Sequence, residues 1–344
     1  MSTINVWLDS QPNDPSGYES AAQRLRNSVR SLADLQLSDV RVHTATIEKP
    51  GQTPDDVRQQ CRAIMRVGRG NGLIPSAAKG HAAALLDEGV LDDLNFADDE
   101  HDTSQTRAEH ERFWAAAGSL MDAANECEEE KLCEADWNDE VHSRVLRLAL
   151  ERDRSECAVW FRNITTAWIE DRSLLPAGLA VQAKKMVNFA VVLDTRSDEA
   201  LAELVRAKLR YEELPAINHI PAGDVRLSPI AVSIATRRAA VEEDAVNARL
   251  AVWVSAHFRW LRRLCKGDCA LPTLPLVIVQ GHEWRLMFGE LEDDLKIRLH
   301  RHLNLVTTRS LLGVYHVVAS LKLLAEWAKD TYRPWFEKEV LSVR

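Results

Sequence analysis

MVNFAVVL, residues Met186–Leu193, and PIAVSIATR, residues Pro229–Arg237, are the stretches on which the fold turns. Both are short apolar runs rich in Val and Ile with polar flanks, the pattern of buried β-strands. Side chains alternate along a strand, so Asn188, Ala190 and Val192 share one face of the first, and Ala235 and Arg237 share one face of the second. The polar residues of these runs are a neutral amide and a permanent cation, and neither run carries a carboxylate.

Helical segments surround the two strands. In Glu134-Ala135-Asp136-Trp137-Asn138-Asp139-Glu140-Val141-His142 and beyond, Trp137, Val141, Val145 and Leu148 recur at helical spacing and are expected to bury one face. Glu140 and Arg144 lie one turn apart beside that face. A long helix is expected over Arg238–Leu264, with an apolar stripe from Val241 to Trp260 and with Trp253 and His257 beside it. Leu274–Val279 and Arg285–Phe288 read as two more strands joined through Gln280-Gly281-His282-Glu283-Trp284. Thr308–Trp327 is apolar on nearly every side and is expected to close the core.

The N-terminal part differs in character. Residues 1–20 are polar and predict a flexible lead-in, 21–130 an acidic helical region, and 131–344 the core. Helices are expected at Ala21–Leu35, Pro54–Val67 and Thr106–Cys133, with solvated acidic residues at 87–102. Gly68-Arg69-Gly70-Asn71-Gly72 resembles a phosphate-cradling loop only in composition. No strand precedes it and no Gly-Lys-Ser/Thr follows, so a bend between helices is expected.

The net charge of −9 is uneven: residues 1–130 hold 12 Lys and Arg against 23 Asp and Glu, and the rest hold 31 against 29. A nucleic-acid binder needs basic surface to displace counterions from phosphate, so this balance disfavours, without excluding, that class of partner. No apolar run reaches the ~18 residues of a membrane span, and the N-terminus lacks a secretory signal, so an intracellular protein is expected. None of the six cysteines forms a C-x-x-C pair. Free thiols are expected, with a turn between Cys265 and Cys269.

Five runs in order resemble the PD-(D/E)XK nuclease-like proteins of filamentous fungi: W-N-x-E-V-H from Trp137, N-x-T-x-A from Asn163, M-V-x-F from Met186, Q-G-H-x-W from Gln280, and R-S-L-L-G-V-Y from Arg309 with Y-R-P-W-F from Tyr332. The resemblance implies an α/β fold: a small mixed central sheet of four or five strands flanked by helices, with a helical N-terminal region. In that family the first strand reads V-D-F and the second ends in E-T-K. An Asp at 188 and a Glu at 235 would hold Mg²⁺, and a Lys at 237 would orient water and stabilise charge on phosphate. Here Asn188 is neutral, Ala235 offers no ligand, and Arg237 cannot serve as a base.

Glu140 occupies the position of the family's metal-positioning Glu, and pairing with Arg144 is an equally open reading. The resemblance therefore implies a degenerate site that needs no metal or other cofactor, with Glu140, Asn188 and Arg237 left to orient a substrate. Trp253, Gln280, His282 and the space beside Ala235 would line it. Trp253 reads as core ahead of a ligand wall, and His282 equally as part of a turn. His300 and His302 form only a weak metal pattern. A small molecule is the expected partner, with conversion by cyclisation or rearrangement in natural-product biosynthesis as one outcome. A non-catalytic binder is the second reading. The third is a nuclease rebuilt on Asp224, Glu242, Glu243 or Asp244.

Overall fold

A computed structural model describes residues 29, 31–98, 104–151, 158–177, 186–223, 225–237, 243–265, 267–293 and 296–342. The expected lead-in at 1–20 lies outside these residues, as do most of the helix expected at Ala21–Leu35 and the start of that expected at Arg238–Leu264.

Seven strands form one sheet: β1 (Arg41–Thr46), β2 (Val159–Asn163), β3 (Phe189–Leu193), β4 (Ile230–Arg237), β5 (Leu274–Gln280), β6 (Glu283–Asp293) and β7 (Lys296–Thr307). Their order is β1-β7-β6-β5-β4-β3-β2. β1 runs parallel to β7 and β4 parallel to β5, while the other neighbours are antiparallel. The sheet is mixed, as expected, but larger than the expected four or five strands. The N-terminal region, read as wholly helical, contributes β1. Its sequence RVHTAT is mostly exposed and carries no apolar alternation, so its pairing is fixed by β7 and not by its own pattern.

The main helices are α1 (Arg58–Val67), α2 (Ser104–Glu129), α3 (the helical run 134–150), α4 (Glu199–Tyr211), α5 (Glu243–Leu264) and α6 (Leu311–Trp327). A π-helical turn, Asn138–His142, interrupts α3. Every residue of β3 and β4 is buried, which requires cover on both faces of the sheet. α5 covers one face, where the Trp253 indole donates to Ser233 Oγ at 2.9 Å. α3 covers the other, where Thr236 Oγ1 donates to Asn138 Oδ1 at 2.6 Å. Positions 233 and 236 differ in parity and so point to opposite faces. The parallel neighbours β4 and β5 are joined through α5, the crossover that parallel pairing demands.

β5 and β6 meet in a two-residue turn. Gly281 has φ of +56° while His282 has no positive φ, the arrangement that puts Gly first in the tight turn of a hairpin. This explains the glycine of the Q-G-H-x-W run. Cys265 and Cys269 form a disulfide across the turn after α5, a correction to the expected free thiols; the two sequence neighbours are brought together as the helix ends. Cys61, Cys127 and Cys133 are free.

Among the described residues, the helical stretch Leu311–Leu341 is long and apolar enough to cross a membrane. Its apolar window is 67% buried inside the fold, so it serves as a core helix. Ser310 caps its first turn by accepting from the Gly313 N–H at 3.1 Å. Ser310→Ala is expected to cost about 1 kcal/mol, read as a lower urea midpoint with an unchanged slope.

Candidate functional site

The two strands that carry the resemblance meet the first turn of α3 at one point. Asn188 is 1% exposed, just before β3. Its backbone N–H donates to Ile234 O at 3.0 Å, and its carbonyl accepts from Ile164 N–H at 2.8 Å, so the residue is fixed in the sheet from both sides. Its side-chain oxygen accepts from Thr236 N–H at 3.0 Å and from Arg237 Nη1 at 2.9 Å. Its amide nitrogen donates to Glu134 Oε1 at 2.9 Å. Arg237, 5% exposed at the end of β4, also donates through Nη2 to Met186 O at 2.8 Å. Glu134 Oε1 lies 3.7 Å from Arg237 Nη1. Burial lowers the pKa of the guanidinium; Glu134 opposes that shift and Arg249 adds to it, and an arginine remains charged throughout.

Behind this cluster, Asn138 links Thr236 to the His142 ring, whose Nδ1 is 3.0 Å away. His142 Nε2 lies 3.3 Å from the Gly281 carbonyl. Burial pulls the His142 pKa down to about 4, so the ring is neutral at physiological pH and bridges α3 to the β5–β6 turn.

The sequence-derived candidates separate into groups. Asn188 and Arg237 come together. Glu140 does not join them: its side chain is 58% exposed and stands 4.0 Å from Arg144 Nη1, the helix-surface pairing. Glu134 takes the place expected for it. The signal was present in the sequence, since Glu134 stands at i−3 and i−7 from Trp137 and Val141 and so heads the buried stripe, while Glu140 lies beside it. Ala235 is fully buried on β4 and pairs in register with Ile278.

Trp253 is 1% exposed and held by Ser233, so its surroundings are those of a core residue. Gln280, opposite Arg237 in the sheet, accepts from Arg285 Nη2 at 2.9 Å. His282 is 1% exposed, with Nδ1 at 3.1 Å from Thr308 Oγ1 and its ring edge-on to Trp137. Burial, then Arg309, hold its pKa below the usual value against the pull of Glu128 and Glu283. These contacts are those of a turn anchor.

The resemblance implies a divalent cation, and the donor set does not fit one. Mg²⁺ asks for carboxylates and waters in an octahedral shell. Here the cluster supplies one carboxylate, Glu134, and one amide oxygen, Asn188 Oδ1, that already accepts two hydrogen bonds, while Ala235 has no donor atom and Arg237 brings a positive charge. Of the carboxylates considered for a rebuilt site, Glu243 Oε2 is paired with Arg285 at 3.0 Å and Asp244 accepts from Leu32 N–H at 3.3 Å. Asp224 and Glu242 lie outside the described residues. His300 Nε2 is 2.7 Å from Glu290 Oε2, and the side chain of His302 also lies outside them. Among the described residues no three His, Cys, Asp or Glu side chains group to hold a metal.

No curated protein and no solved structure matches the chain. A family model described as the PD-(D/E)XK nuclease superfamily matches residues 82–333, which spans α2, α3, both diagnostic strands, α5 and the hairpin. By that match over most of its length, and with the mixed sheet and helices that accompany it, this chain belongs to the PD-(D/E)XK nuclease superfamily.

Proposed function

We propose that this chain is a pseudo-nuclease, a PD-(D/E)XK fold that acts by binding and not by metal-dependent phosphodiester cleavage. The observation that carries the reading is Arg237: its guanidinium lies between Asn188 Oδ1, the Met186 carbonyl and Glu134, which is where a bound cation would face its oxygen ligands. A resident cation replaces the divalent one, and the group that activated water is lost with it.

Binding is favoured over a cyclisation or rearrangement at this point. Asn188 and Arg237 satisfy one another and the backbone, so a substrate would reach Glu134 first, the one inner group with substantial exposure. For the partner we propose a small molecule ahead of nucleic acid, since a net charge of −9 offers little counterion release. An intracellular location is part of the same proposal.

The test is incubation of supercoiled plasmid with Mg²⁺ or Mn²⁺. The wild type is expected to leave it intact, while the combined change Asn188→Asp, Ala235→Glu, Arg237→Lys restores the cleaving set and nicks it. Divalent-dependent nicking by the wild type that Glu134→Ala stops would overturn the reading.

A further inference from the structure

The outward side of α4 is not polar throughout. Leu201, Ala202, Val205 and Leu209 bury one face of this 13-residue helix against the core. Leu204 and Tyr211, two of the large apolar side chains that stay at the surface, are 43% and 68% exposed. Ala200 is exposed and Ala207 half-buried. At 100° per residue these four fall within an arc of about 60°, beside the buried face. Their spacing of four, three and four residues is that of the d-a-d-a seam on which two helices pair.

The stripe is complementary to a second copy of itself when the two helices run antiparallel. A two-fold axis between residues 205 and 206 sets Ala200 opposite Tyr211 of the second copy, and Leu204 opposite its Ala207, so each large side chain meets a small one. The charges beside the stripe have the same symmetry. Glu199 and Glu203 lie in the N-terminal half of the helix, Arg206 and Arg210 in the C-terminal half. Arg206 bonds to both glutamates within its own helix, at 2.7 and 2.5 Å. Arg210 is exposed one turn further on, and the antiparallel arrangement brings it to Glu203 of the second copy. Parallel pairing would instead set Tyr211 against Tyr211 and Ala200 against Ala200, and would bring the acidic ends of both helices to one level. Size and charge therefore select the antiparallel arrangement.

We propose that α4 is the contact face of a symmetric homodimer, in which two copies of the chain pair antiparallel through this stripe, with Glu203 of each bonded to Arg210 of the other. The proposal is independent of the reading of the inner site, whose residues α4 does not carry. A helix of 13 residues is about 20 Å long, so the contact is a small one and a dissociation constant in the micromolar range is expected.

The test is sedimentation velocity of the full chain over a concentration series spanning the micromolar range. The wild type is expected to pass from monomer to dimer as its concentration rises. Glu203→Arg and Arg210→Glu alter exposed side chains and set like charges across the axis, twice over by symmetry. Each is expected to raise the dissociation constant at least about 10-fold. Mixed in equal amounts, the two variants regain both opposite-charge pairs and are expected to form a heterodimer of wild-type strength, which misfolded chains cannot do. Leu204→Glu is expected to abolish the dimer. A dimer that survives Leu204→Glu, or charge variants that fail to recombine, would overturn the proposal. A wild type that stays monomeric would also overturn it and leave the stripe to a different partner.

Discussion

Arg237→Ala is expected to lower the free energy of unfolding by about 3–5 kcal/mol, enough to unfold a marginal domain of this kind. The guanidinium is 5% exposed and satisfies Asn188 Oδ1 and the Met186 and Thr236 carbonyls. Its removal takes a donor from each of those acceptors in the interior and leaves a void at the end of β4. Arg237→Lys keeps the charge but loses the planar fork that reaches several acceptors at once, so a smaller loss is expected. Urea unfolding of the two variants beside the wild type reads the difference. A loss below about 1 kcal/mol for Arg237→Ala would mean that the guanidinium does not brace the strands.

Acid is expected to destabilise the protein steeply from about pH 6.5 downward. His142, His219 and His257 are fully enclosed, and burial is the first cause of each lowered pKa, to about 4 for His142 and about 3 for His257. His282 adds to the lowering at His142, and His257, stacked 4.7 Å from His219, adds to it there. The unfolded chain takes up protons at these rings near pH 6.5, whereas the folded chain resists until much lower pH. Their contribution is therefore complete above about pH 6.5 and is lost below it, by up to about 1.4 kcal/mol per pH unit for each ring, until the folded pKa is reached. The unfolding free energy should fall by about 4 kcal/mol per pH unit at most between pH 6 and 4, with about a third of that slope removed in His257→Phe. Stability that is flat between pH 7 and 5 would contradict this account.

The strands that define the family were legible because burial on both faces forces continuous apolar sequence, as in FAVVL and IAVSIATR. β1 was not, because an edge strand with one neighbour needs no apolar alternation, and its RVHTAT resembles any polar linker. That Asn188 and Arg237 share one site was implied by the resemblance, whereas the hydrogen bond between them is a structural finding. Glu140, not Glu134, stands at the motif's letter position. The helical phase relative to Trp137 and Val141 favours the earlier carboxylate. Packing around Trp253, Gln280 and His282 depends on residues distant in sequence, Ser233, Arg285 and Thr308, and no local pattern reports such partners.

The central claim is that Arg237 stands where the superfamily's divalent cation would be held, and the most direct measurement is Mn²⁺ binding followed by the electron paramagnetic resonance signal of the free ion. The account predicts that titrating the wild-type chain into Mn²⁺ leaves that signal undiminished and unchanged by Glu134→Ala. Binding of one Mn²⁺ per chain by the wild type, lost in Glu134→Ala, would contradict it.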